Sequence, residues 1–80
     1  MKITFYGGLA ELLGREIDLA IEHPCTVGAV RGKLAAGNPM AAESLADGRV
    51  RVCVGSAMVG DEHSLGVGEE IEFLAPVSGG

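Results

Sequence analysis

From Glu16 to Glu22 apolar and polar residues alternate without a break: Ile17, Leu19 and Ile21 fall to one side of an extended chain, and Glu16, Asp18, Ala20 and Glu22 to the other. Successive side chains on a strand point to opposite faces, so this segment predicts a strand with one apolar and one wet face. Such a strand belongs in a sheet covered on a single side. The chain has only 80 residues with which to supply that cover. One small domain is therefore expected, with helices packed on one face of one mixed sheet.

The other segments fit that plan. Ile3 and Phe5 alternate with Lys2, Thr4 and Tyr6 to give a first strand, which Gly7-Gly8 breaks. Leu9, Leu12 and Leu13 then recur at helical spacing, with Gly14 placed to cap a short first helix. Pro24 ends the Glu16 strand. Thr26 is a good N-cap, and Val27, Val30 and Leu34 form the apolar stripe of a second helix that should lie across the sheet and stop at Gly37. Asn38-Pro39 reads as a cap followed by proline at the first helical position, opening a short third helix through Ala42 to Leu45. After the Asp47-Gly48 turn, Val50, Val52 and Val54 alternate with Arg49, Arg51 and Cys53. Met58-Val59 makes a very short strand. Ile71 and Phe73 alternate with Glu70, Glu72 and Leu74 in a last strand, ended by Pro76.

Composition narrows the function. A domain this small has no room for a pocket walled on all sides, which favours a carrier or a subunit over a self-sufficient enzyme. The net charge of -5 argues against nucleic acid, whose phosphates need clustered Lys and Arg. It suits a protein partner with a basic face, and equally plain solubility. The first residues read directly as a strand, without a signal-peptide shape, and no apolar run approaches the roughly 20 residues of a membrane span. A cytoplasmic protein is expected, in which Cys25 and Cys53 form no structural disulfide.

Ordinary catalytic candidates are weak. His23, Cys25, Cys53 and His63 lack the close ligand pairs of a zinc site, so no metal is expected. Cys53 lies on the polar side of its strand with Arg49 and Arg51, but no base accompanies it. Glu69, Glu70 and Glu72 suggest a solvated acidic face rather than an acid–base pair. Gly66 and Gly68 lack the strand-to-helix context of a phosphate loop.

The remaining feature is the ending, Val77-Ser78-Gly79-Gly80. With 13 glycines in the chain, a terminal pair is by itself only suggestive. It follows a strand end and Pro76, so residues 1–76 are expected to form the domain and residues 77–80 a flexible tail. Counted from Pro76, five extended residues reach about 17 Å, enough to enter another protein's active site. Glycine makes such an arm thin, and its terminal carboxylate is unhindered. On the pattern alone, a working arm and an incidental terminus stand equal.

The run Ile71-Glu72-Phe73-Leu74-Ala75-Pro76-Val77-Ser78-Gly79-Gly80 resembles the C-terminal signature of MoaD-type sulfur carriers, an apolar strand running through a proline bend into Gly-Gly. Lys2-Ile3-Thr4-Phe5-Tyr6, followed by Leu9-Ala10-Glu11-Leu12-Leu13-Gly14, resembles the start of that family. The likeness spans essentially the whole chain. It departs where Ala75 replaces a frequent first proline, where the last strand carries Phe73-Leu74 rather than an aromatic pair, and at the Gly66-Val67-Gly68-Glu69 turn.

The resemblance implies an α+β, β-grasp, ubiquitin-like fold. It implies that Gly80 is adenylated by a MoeB-type enzyme using ATP and converted to a thiocarboxylate with sulfur from a donor. The tail, Val77, Ser78 and Gly79 behind Gly80, then threads into a MoaE-type large subunit of molybdopterin synthase. There it gives up sulfur for the molybdopterin dithiolene. The acid–base groups would belong to the partner, and the carrier would bind no cofactor of its own. A carrier for cysteine or thiamine synthesis, a ubiquitin-like protein modifier and an interaction domain with an inert tail are the rival readings. Leu74, Ala75 and Pro76 are the expected partner-binding residues. Alternation turns Leu74 away from the core, where either a partner or partial burial at a sheet edge would cover it.

Overall fold

A computed structural model describes residues 1–76 of the chain. In order, the elements are β1 (Lys2–Tyr6), α1 (Gly8–Leu13), β2 (Glu16–Asp18), β3 (Cys25–Thr26), α2 (Val27–Gly37), a 3-10 turn (Pro39–Ala41), α3 (Ala42–Ala46), β4 (Arg51–Val54), β5 (Ala57–Val59), β6 (Ser64–Leu65) and β7 (Ile71–Leu74). Five strands form one mixed sheet in the order β2-β1-β7-β4-β5, and β3 pairs with β6 apart from it. Within the large sheet β1 and β7 run parallel, and the other neighbours are antiparallel. The parallel pair brings the first strand beside the last, so the chain leaves both at the same end of the sheet.

The stripes read from sequence meet in one core. Ile3, Phe5, Val52, Ile71 and Phe73 come from the sheet; Leu9, Val27, Val30, Leu34 and Leu45 come from the helices, and all are buried. Phe5 and Phe73 are register partners across β1 and β7, with ring centroids 5.7 Å apart at a tilt of 35°, a favourable aromatic arrangement. Arg31 on α2 lies over the other ring of interest, its guanidinium 5.6 Å from the Phe73 centroid. The same side chain donates to an Asp61 carboxylate oxygen at 3.1 and 3.2 Å and to the Leu45 carbonyl oxygen. One cation thus joins α2 to the end of α3 and to the loop before β6. Thr26 caps α2 as expected, its hydroxyl accepting from the Ala29 N–H at 3.1 Å.

Two local expectations are corrected. The strand expected over Glu16 to Glu22 ends at Asp18, because its partner runs out. Register pairs Lys2 with Asp18, and Met1 supplies the last bonds, accepting from the Leu19 N–H at 2.8 Å and donating its ammonium to the Leu19 carbonyl at 2.8 Å. Leu19 and Ile21 still pack against the core, without a strand beside them. The helix expected to open at Pro39 is divided, with a 3-10 turn preceding α3. Asn38 stands before it, yet its side-chain amide reaches back to the Leu34 carbonyl at 2.9 Å instead of capping forward.

Candidate functional site

The end of the sheet where β1 and β7 stop is where the chain runs on towards residues 77–80. Tyr6 is the register partner of Leu74, and Leu74 that of Arg51 on β4. One residue further, the Ala75 N–H donates to the Tyr6 carbonyl at 3.2 Å. The Pro76 carbonyl then accepts from the Gly8 N–H at 2.9 Å. Gly7 lies between these two bonds with φ +69°, a left-handed conformation that costs glycine little. A Cβ on Gly7 would overlap the Ala75 carbonyl oxygen and lie 2.8 Å from the carbonyl carbon. Backbone bonds on either side of Gly7 therefore hold this segment, Tyr6 holding Ala75 and Gly8 holding Pro76, while Gly7 leaves room for the Ala75 carbonyl.

The outer sheet face beside this point is partly apolar. Tyr6, Leu74 and Met58 are exposed by 42%, 39% and 65%, too much for three large side chains with a core to join. Glu72, Cys53 and Met58 lie in one row across β7, β4 and β5. The Tyr6 phenol donates to a Glu72 carboxylate oxygen at 3.0 Å. That bond and then the Glu72 charge raise the phenol's pKa, with slight desolvation adding and Arg15 opposing.

Of the partner-binding residues expected from sequence, Leu74 is exposed on the outer face, while Ala75 and Pro76 are half-buried. Val77, Ser78, Gly79 and Gly80, the expected threading and reacting residues, lie outside the described residues. The acidic cluster is dispersed. Glu69 accepts from the Gly66 N–H at 2.7 Å, closing the turn that carries Gly66 and Gly68 into β7. Glu70 approaches Lys2 at 3.8 Å, and Glu72 holds Tyr6. Arg49 does not share the strand face of Cys53: it precedes β4 and pairs with Asp47 at 2.9 Å. Cys25 and Cys53 are free thiols, half-buried. Among the described residues no three His, Cys, Asp or Glu side chains gather as a metal set, and no helix is long and apolar enough to cross a membrane.

Sequence reading missed Tyr6, Gly7 and Gly8 as parts of this region. The alternation of β1 already put Tyr6 outward, but nothing local showed that β7 would bring Leu74 beside it. Gly7-Gly8 was legible only as a strand breaker. Its closeness to Ala75 depends on pairing between residues 68 positions apart, such as Tyr6 and Leu74.

Comparison with known proteins agrees with this arrangement. The sequence model of the ThiS family matches residues 3–80. The molybdopterin synthase sulfur carrier subunit of Escherichia coli strain K12 is 35% identical over 81 residues, covering 100% of this chain and 99% of that protein. Among solved structures, SAMP1 from Haloferax volcanii superposes with a TM-score of 0.80 at 22% identity, over 99% of this chain and 97% of that one. A putative molybdopterin converting factor subunit 1 from Pyrococcus furiosus gives 0.79 at 17% identity, over 95% of each chain. At those identities the two structures establish the fold, the β-grasp expected above. With the family matched over almost its whole length and a relative aligned end to end, this chain belongs to the ThiS family, among the MoaD- and ThiS-type ubiquitin-like sulfur carriers.

Proposed function

We propose that this chain is the sulfur carrier of a molybdopterin synthase. The observation that carries the reading is the end-to-end match, at 35% identity, to a protein of that name. In the proposed cycle the Gly80 carboxylate attacks the α-phosphate of ATP on an activating enzyme, releasing pyrophosphate and leaving an acyl-adenylate. A sulfur donor displaces AMP, and Gly80 becomes a thiocarboxylate. Val77, Ser78 and Gly79 carry that group into a larger partner subunit, where its sulfur bonds to a pterin precursor. Water then cleaves the acyl–sulfur bond, leaving the sulfur on the pterin and returning Gly80 to a carboxylate. The carrier supplies a reagent and a docking face; the acid–base groups are the partner's. All of this takes place in the cytoplasm.

The docking face is the outer surface around Leu74, Ala75 and Pro76, extended by Tyr6. Leu74 and Tyr6 are exposed apolar neighbours at the base of the arm. A partner that covers them also receives the arm.

The test is intact mass after incubation with an activating enzyme, ATP and a sulfur donor, beside a control lacking Gly80. Replacement of one oxygen by sulfur, absent from the control, supports the reading. An unchanged mass with an enzyme shown to charge another carrier overturns it. The acceptor is then read by offering the charged chain a pterin precursor with a large subunit, or lysine-bearing proteins. Dithiolene formation supports the synthase. Transfer to a lysine amine, or to neither acceptor, moves the assignment to a protein modifier or to a carrier for another pathway.

A further inference from the structure

The arm begins from a clamp rather than from a loose strand end. Each of the last two described residues is fixed by one backbone bond: Ala75 through its N–H to Tyr6, Pro76 through its carbonyl to Gly8. Pro76 has no N–H, and its ring restricts φ, so its carbonyl is the one backbone group by which it can be held. A peptide group is planar, so fixing that carbonyl oxygen also orients the bond by which the chain continues. On the other side, Gly7 at φ +69° lets the Ala75 carbonyl approach where any other residue would put a Cβ.

We propose that Gly7 and Gly8 are positioning residues for the reaction at Gly80, setting the direction in which the arm leaves the sheet before a partner receives it. The proposal rests on the sulfur-carrier reading and deepens it. An arm whose root is already oriented loses less conformational freedom on entering an active site than one whose root is free, and less freedom lost means faster reaction from the docked complex. The docking face and the clamp meet at Ala75 and Pro76 but act through different groups. Tyr6 and Leu74 present side chains on the outer sheet surface, whereas Gly7 and Gly8 act through the backbone at the sheet's end.

Gly8 offers a clean test because it is the first residue of α1. Proline is well tolerated at that position, where its missing N–H is not needed by the helix. Gly8→Pro therefore spares α1, deletes the donor to Pro76 and puts a ring carbon where the hydrogen pointed. Gly8→Ala keeps the donor. Thiocarboxylate formation on the whole chain is followed by intact mass, with the activating enzyme, ATP and sulfur donor in excess and the carrier concentration varied. For Gly8→Pro we expect an unchanged KM, because docking through the outer face remains, and a kcat lower by about ten-fold, the loss of one hydrogen bond. Gly8→Ala should keep the wild-type kcat.

A Gly8→Pro variant with wild-type kcat, a loss confined to KM, or an equal kcat loss in Gly8→Ala would each overturn the proposal. Should Gly8→Pro not fold, amide hydrogen exchange in the wild-type chain decides: the Gly8 N–H is protected if it is clamped, and free exchange overturns it. A wild-type chain that is never charged sinks the carrier reading itself, and this proposal with it; a charged wild type with an indifferent Gly8→Pro sinks the clamp alone.

Discussion

Tyr6 and Glu72 are joined at 3.0 Å on the outer face of the parallel β1–β7 pair, phenol to carboxylate, beside the point where the chain leaves the sheet. The bond stabilises the protonated phenol and raises its pKa above the ordinary 10.0. A pKa raised on folding contributes stability that is complete below the unfolded value and lost as pH climbs through the folded one. Tyr6 is the sole tyrosine, so phenolate absorbance reports it without ambiguity. Titrating the wild type should give a midpoint above 10.0, and Glu72→Gln should bring it down. Equal midpoints in the two proteins would show that the pair does not form in solution.

The physical reason some of this was legible in sequence, and some was not, lies in the range of the interactions. The Val27, Val30 and Leu34 stripe and the Thr26 cap are set by neighbours within one helix, and both stand in the structure. The alternation of Ile71 and Phe73 likewise announced which side of β7 is buried. The extent of β2 did not follow from its own pattern, because a strand ends where its pairing ends, and the register with β1 stops at Lys2 and Asp18. The β3–β6 pair is two residues long on each side and leaves no periodic trace. At the candidate site, Leu74 could be placed outward by alternation. Its neighbour Tyr6, and the hold of Tyr6 on Ala75 and of Gly8 on Pro76, are products of the β1–β7 pairing and invisible to any local rule.

Asp47 and Arg49 make a second titrating pair, at the turn before β4. The Arg49 side chain, then its backbone N–H, hold the Asp47 carboxyl down to about 2 from an ordinary 3.8, with a small opposing desolvation and a further attraction from the Arg49 charge. Arg49 is correspondingly raised by the same contact. A depressed carboxylate pKa means stability present above pH 3.8 and lost as pH falls through about 2. Arg49→Gln should raise the Asp47 pKa in a carboxyl NMR titration and move the acid limb of the unfolding curve to higher pH. An Asp47 titration indifferent to Arg49→Gln would show the pair to be absent.

Phe73 is fully buried, paired with Phe5 and overlain by Arg31. Phe73→Ala should cost about 3–5 kcal/mol in urea unfolding, the range for truncating a buried aromatic and leaving a cavity. Phe73→Leu keeps more of the volume and should cost less. Arg31→Met removes the ring's cationic neighbour and leaves the Leu45 carbonyl without the donor, for which about 1–3 kcal/mol is expected. Since Arg31 and Phe73 touch, the Arg31→Met/Phe73→Ala double variant should lose less than the sum of the two single losses. Strict additivity would mean that the contact contributes nothing.

Leu74 separates docking from folding. Its side chain is exposed by 39%, beside Tyr6 and in register with Arg51. The inward Phe73 already fills the core position of β7, so Leu74→Arg should alter stability by no more than about 0.5 kcal/mol, as surface changes usually do. A charge in the middle of a desolvated apolar contact is a different matter. If Leu74 is an anchor of the partner interface, the variant should weaken association with the activating enzyme by about 2 kcal/mol or more, near thirty-fold in Kd. Calorimetric titration of the folded variant measures this directly. A Kd unchanged by Leu74→Arg would remove the outer sheet face from the partner contact.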